Sequence, residues 1–215
     1  MAAWTEGIRR NWVLAGIGTT AGALIVGGSY LAFGLNPGYS IGIVVLGGAI
    51  GWGLYRFRNG GPLPWSGGLP LGRALGFSAA GLVLALGVIQ AVPYGRAHAN
   101  PPVGAEPSWD SPATRDLAVR ACYDCHSNET DWPWYSNVAP FSWALADHVR
   151  VGRRILNFSE WDRPAGQAGE TRGVVLEGEM PPPYYTLFGL VHGDARLTDA
   201  ERQALADGLF ASLGG

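Results

Sequence analysis

Apolar residues fill long unbroken runs at the start of this chain and fall into short periodic groups after it. No Asp, Glu, Lys or Arg occurs from Asn11 to Tyr55, and none again from Ala74 to Gly95. Within these stretches "NWVLAGIGTTAGALIVGGSYLAFG", "YSIGIVVLGGAIGWGLYRF" and "ALGFSAAGLVLALGVIQAVPY" predict three transmembrane helices, at about 12–34, 39–57 and 74–94. The first run, about 24 residues, extends ~36 Å as a helix, enough to cross a hydrocarbon core of ~30 Å. "LNPGYS" supplies turn chemistry between the first two spans, and a Gly/Pro-rich loop from Arg58 to Gly72 precedes the third.

Beyond the spans the pattern changes to helical periodicity on a shorter scale. "ANPPVGAEPSWDS" reads as a Pro-rich linker over 96–111, ahead of a small domain over 112–215. Ser111 is an N-cap with Pro112 at the first helical position, and that helix is expected to run through "ATRDLAVRACYDCH". A second helix is predicted from about Pro140 to Asn157, with Phe141, Leu145, His148, Val149, Ile155 and Leu156 partly on one face. A third is expected at about Gln167 to Glu177. The last starts at Thr198 with Glu201 three residues on, a capping box, and carries Leu205, Leu209 and Leu213 along one side. No alternating strand pattern occurs. The predicted class is all-α: three transmembrane helices followed by a small helical domain.

Charge sharpens this division. Only 15% of the 215 residues are charged, against roughly 25% in soluble domains. Sixteen of the seventeen acidic residues and ten of the fifteen basic ones lie from Arg96 onward, giving that part −6 and the preceding part +4. Arg9 and Arg10 precede the first span, and Arg56, Arg58 and Arg73 lie between the second and third. By the positive-inside rule the N-terminus is then cytoplasmic and everything after Tyr94 extracytoplasmic, as in a multi-pass protein of a cell inner membrane with a periplasmic domain. Ala97-His98-Ala99 resembles a signal-peptidase site, but two earlier spans argue against cleavage there. The basic residues, all arginine, form no stripe, so nucleic-acid binding is not expected. Gly18 to Gly22 and Gly47 to Gly51 fit small-xxx-small spacing. They would serve packing among the spans, or docking against a larger membrane complex. No acidic or basic residue lies inside a span short of Arg56 at the end of the second, so no ion or proton path is implied.

The candidate chemistry sits in "RACYDCHSNETDWPWYSN", which holds the only two cysteines, Cys122 and Cys125, with His126 directly after them. Cys-x-x-Cys-His is the attachment signature of c-type haem. Two thiols about one helical turn apart add to the two vinyl groups of a porphyrin, and the next histidine reaches the iron. A thioredoxin-like dithiol would need a βαβ context, which is not visible. A zinc site would draw on His98, His126, His148 and His192, but no His-x(3–5)-His pair exists. A plain disulfide would leave His126 unexplained. Covalent haem attachment takes place outside the cytoplasm, where the charge pattern puts this domain.

Apart from Met1 the chain has one methionine, Met180, in "LEGEMPPPYYT", 54 residues after His126. It is the candidate sixth ligand, on a loop that Pro181, Pro182 and Pro183 are expected to hold extended and free of helix. A thioether opposite His126 favours electron transfer over ligand binding. Core packing is the alternative for Met180, and His148 and His192 are the other candidate distal ligands. Trp132, Trp134, Tyr135, Phe141 and Trp143 would wall one haem edge, or equally pack as ordinary core.

"CYDCHSNETDWPWYSNVAPFSW", "LNFSEW", "GEMPPPYY" and "ARLTDAERQAL" together resemble the bacterial haem-binding domain family of monohaem c-type cytochromes, over about 114–213. The resemblance implies one covalently attached haem c on Cys122 and Cys125, with His126 and Met180 as axial ligands of the iron. The plan of three spans and an outward haem domain is also similar to the cytochrome subunit of type I photosynthetic reaction centres. The expected function is electron carriage rather than catalysis, in a photosynthetic or respiratory complex of the lipid bilayer or with a redox partner protein. The alternative is a haem-based sensor that signals through the membrane helices.

Overall fold

In a computed structural model, the residues described are 22, 24–31, 34–59, 71–162, 168–186 and 192–213. They build helices and turns, with no strand among the described residues. The chain divides after Pro93 into two units, 1–93 and 94–215.

In the first unit, α1 (described over 24–31) closes on Gly34, whose φ of 62° is open to glycine at low cost and whose N–H caps the Tyr30 carbonyl. Asn36 then starts α2 (Pro37–Asn59): its Oδ1 accepts from the Gly38 N–H at 2.8 Å, with Pro37 at the first helical position. α3 (Leu71–Ile89) runs back antiparallel to α2. Ser40, Ile43, Gly47 and Gly51 on one side meet Gly81, Ala85 and Ile89 on the other, and all are buried. The contact is backbone to backbone. A Cβ on Gly81 would collide with the Gly47 carbonyl, and one on Gly51 with Phe77. The Gly47-to-Gly51 spacing therefore packs helix on helix within the unit. Gly18, of the other pair, lies outside the described residues.

The three spans expected from sequence are only partly visible. The first lies mostly outside the described residues. Among the described residues one helix, over Pro37–Arg58 with mean hydropathy 1.4, is long and apolar enough to cross a membrane, while α3 offers the shorter apolar stretch Leu75–Ile89. α3 also ends five residues before the expected Tyr94. Val92 precedes Pro93, a position disfavoured in α conformation, and i→i+3 bonds tighten the chain from Gln90 to Val92 instead.

In the second unit, α4 (Pro112–Ala121) starts on the Ser111 cap, whose Oγ accepts from Thr114 N–H at 3.2 Å. α9 (Asp199–Leu213) starts on the capping box, with Glu201 Oε2 accepting from Thr198 N–H at 2.8 Å and Thr198 Oγ1 from Glu201 N–H at 3.2 Å. The two helices cross where Gly208 meets Thr114, leaving no room for a Cβ. Ala118, Ala121, Tyr123, Leu156, Phe158, Val175, Leu197, Leu205, Ala206 and Leu209 form the core. α7 (Thr171–Leu176) adds Val175 to it, while α6 (Phe141–Ile155) buries Trp143, Ala144, Leu145 and Val149 and leads into Leu156 of the core.

The segment expected as a linker is bound along its length. Gly104 N–H donates to Ser159 at 2.8 Å, Trp161 N–H to Ala105 at 2.9 Å, and Asn128 Nδ2 to Pro102 at 2.9 Å. Glu106 takes a two-pronged bond from Arg115, 2.7 Å on each arm, and a third from Trp109 Nε1. The Arg115 guanidinium holds the Glu106 carboxyl down at about 2. Prolines here stiffen a strap rather than a spacer, because the carbonyls between them still accept bonds.

Candidate functional site

The haem motif does not continue α4, as its sequence led one to expect. The helix breaks at Cys122, φ −127° and ψ −33°, and Tyr123–His126 forms a separate turn, α5. The Cys122 carbonyl accepts from both Cys125 N–H at 3.1 Å and His126 N–H at 2.9 Å, which closes the turn. Cys122, Cys125 and His126 are thereby gathered on four-residue scaffolding pinned at both ends. Above it Gly152 of α6 comes so close that a Cβ would collide with the Cys125 carbonyl. Beyond it Phe158 N–H donates to the His126 carbonyl at 2.8 Å.

His126 is oriented by the end of α6. Its Nδ1 lies 3.1 Å from the Leu156 carbonyl. A carbonyl only accepts, so Nδ1 carries the proton and Nε2 keeps its lone pair. Burial also pushes the imidazole below its ordinary pKa, so the ring is neutral near pH 7. This is the arrangement a metal-ligating histidine needs: one nitrogen tied to a backbone carbonyl, the other ready to coordinate.

The thiols point the same way. Neither is in a disulfide, and burial pushes both up to about 12. A redox dithiol needs a stabilised anion, which this environment opposes. Among the described residues no three His, Cys, Asp or Glu side chains group to hold a metal ion. An uncharged thioether, by contrast, suits a desolvated site. The donor set therefore fits a haem held by Cys122, Cys125 and His126, and does not fit zinc or dithiol chemistry.

A polar cradle steadies the motif from below. Asn128 N–H donates to Ser159 Oγ at 3.0 Å, Asn157 Nδ2 to Asn128 Oδ1 at 3.0 Å, and Ser127 Oγ to the Tyr123 carbonyl at 2.8 Å. Arg153 spreads its guanidinium over Ser127, Ala99, Asn100 and Thr130. These bonds explain the "LNFSEW" block: Leu156 aims the histidine, and Asn157 and Ser159 fix the loop after it. The role of Leu156 was not legible in sequence, because a carbonyl acceptor has no side-chain signature.

Met180 arrives by a tight turn after α7, in which Gly178 takes φ 77° and Met180 N–H donates to Val174 at 3.1 Å. Its half-buried side chain packs against the same core that receives Cys122. The following prolines do not exclude helix. Pro183 opens a helical turn, α8 (Pro183–Thr186), since the first turn of a helix has no use for its missing N–H. This turn sends Tyr184 onto His148, rings 5.4 Å apart, and Tyr185 onto His192, 4.0 Å apart. The Tyr185 hydroxyl donates to Asp124, inside the Cys-x-x-Cys-His motif. His192 Nε2 is bonded to the Tyr135 hydroxyl at 2.5 Å. Both alternative distal histidines are thus held by tyrosines. Of the aromatics expected to wall the haem or pack as core, Trp134 is 75% exposed and meets Tyr135 edge-on.

A family described as a haem-binding domain matches residues 84–210. No curated protein and no solved structure matches the chain. The matched span begins upstream of the expected position 114 and takes in the strap as well as both the cysteine motif and the Met180 loop. The chain therefore belongs to the haem-binding domain family.

Proposed function

We propose that this haem protein is a membrane-anchored, monohaem c-type cytochrome that carries electrons and is not itself an enzyme. One observation carries the reading: Cys122, Cys125 and His126 share a single turn in which His126 Nδ1 is committed to Leu156 and both thiols are half-buried and neutral. Cys122 and Cys125 would tether the porphyrin as thioethers, His126 would ligate from one side and Met180 from the other. Bound there, haem c supplies a one-electron ferric/ferrous couple, raised in potential by a thioether ligand. The chain's part is to exclude water, fix the imidazole and hold the sulfur in place.

The anchor rests on α2, which is long enough to span and only 22% buried, where the core helix of a soluble protein would be mostly buried. Ile41, Val45, Trp52 and Phe57 of α2, with Leu75, Val83, Leu84 and Val88 of α3, stand exposed, as side chains facing lipid do. In this reading three spans place the N-terminus in the cytoplasm and the haem domain outside. The partner is a membrane electron-transfer complex, photosynthetic or respiratory, in which the protein is a fixed subunit.

Purified protein in detergent should show a low-spin, six-coordinate spectrum in both redox states and cycle reversibly between them. Carbon monoxide should not bind the ferrous form readily. A five-coordinate ferrous iron that takes carbon monoxide at once would replace electron carriage by ligand sensing.

A further inference from the structure

Over the three residues after Met180, namely Pro181, Pro182 and Pro183, the loop has no backbone N–H to donate. The backbone bond that follows, Tyr185 N–H to the Pro182 carbonyl at 2.9 Å, stays within the loop. The chain is held on the Met180 side by Met180 N–H on Val174 and by Arg202, whose Nη1 donates to the Met180 carbonyl at 3.3 Å. Past the prolines the tie to the haem motif is a side chain, Tyr185.

The acceptor it meets is rigid. Asp124 Oδ1 accepts from the Asp131 N–H at 2.9 Å, and the Asp124 carbonyl accepts from Thr130 Oγ1 at 2.7 Å. The other carboxylate oxygen, Oδ2, accepts from the Tyr185 hydroxyl. The Tyr185 ring lies nearly parallel to His192, 21° between planes, and His192 is fixed in turn by Tyr135. Burial raises the Tyr185 phenol well above its ordinary range, so it remains a donor at any physiological pH. None of these residues belongs to the buried core of α4, α7 and α9. The bond can open without unpacking that core.

We propose that the Tyr185–Asp124 hydrogen bond is a latch that closes the Met180 loop onto the haem-attachment turn, making Tyr185 a positioning residue for the sulfur ligand. The inference rests on the haem c reading with Met180 as axial ligand. A thioether is a weak ligand, and a site of this kind needs a supporting shell that places it before it binds. Asp124, one of the two residues between the cysteines, thus does more than space them.

The test uses the full-length, haem-loaded protein in detergent and reads two signals during urea titration: the charge-transfer band of the ferric thioether–iron bond, and far-ultraviolet helix content. A parent protein without that band, or M180A with the band intact, would remove the axial-ligand reading and the latch with it. Given that band, Y185F should lose it at lower urea than the parent while the helix transition stays in place. Ferrous Y185F should also bind carbon monoxide about tenfold faster or more, as expected for loss of a charge-assisted bond. D124N, which leaves one acceptor oxygen for the two donors Tyr185 O–H and Asp131 N–H, should shift the same way, and Y185F/D124N should fall clearly short of the sum of the two single effects. A Y185F variant whose two transitions move together, or not at all, overturns the latch. So do effects of the two substitutions that simply add.

Discussion

Single residues carry the strongest constraints in this site, and they are mostly not the ones with reactive side chains. Gly152 lets α6 rest directly on the Cys125 carbonyl. Ala at this position adds a methyl where only backbone fits, so G152A should lose about 1–3 kcal/mol of stability and hold less haem, read by urea midpoint and haem content per protein. Glu106 gives a second test, through pH. Its carboxyl is held at about 2 against an ordinary 4.5, so its contribution is present above pH 4.5 and is lost as pH falls toward 2. E106Q should cost about 1–2 kcal/mol near neutrality and flatten the fall in stability between those two values. An E106Q protein as stable as the parent at pH 7 would show that Arg115 and Glu106 tie nothing. At this scale the sequence was read well where chemistry is written in side chains: Cys122, Cys125 and His126 do lie in one turn. It was silent on Leu156, because the group that orients His126 is a carbonyl that any residue would present. It was silent on Asp124 and Tyr185 too, whose meeting depends on a contact between residues 61 positions apart.

Elements repeat the lesson in their boundaries. Ser111-Pro112 and Thr198-Glu201 fixed two helix starts through local cap chemistry, and both caps form. Helix ends were less legible. α4 stops at Cys122 because the motif forms its own turn, and α8 begins on a proline that had argued for extended chain. The strap was read as a spacer from composition, yet its bonds run to side chains and carbonyls distant in sequence. Close helix crossings give the sharpest predictions here. Gly208 passes α4 at Thr114, and Gly81 passes α2 at Gly47. G208V should separate α4 from α9 and destabilise the haem domain by ~2 kcal/mol or more, visible as a lowered urea midpoint. G87V, on α3 where a Cβ meets open space, should leave stability within ~0.5 kcal/mol. Equal losses from the two variants would mean that the crossing is not where the tension lies.

At the scale of the whole molecule, charge and hydropathy divide the chain into an apolar part of +4 and an acidic part of −6 from Arg96 onward. Exposed charges of this kind steer soluble partners, and that attraction is screened beyond about 8 Å at physiological salt. In a fixed subunit the tether already supplies a high local concentration. The oxidation rate of the haem in native membranes should therefore change little as salt rises from low to physiological strength. A steep fall, with the protein leaving mild detergent extracts as a lone monomer, would point to a soluble partner instead. Everything beyond the family assignment rests on haem being joined to this chain through its two cysteines. Intact-mass analysis of the protein, made in cells able to attach haem and then denatured and stripped with acidified solvent, tests that most directly. The account predicts the polypeptide mass plus one haem, and the bare polypeptide mass for C122A/C125A. Bare polypeptide from the parent protein, with haem released into the solvent, would contradict it.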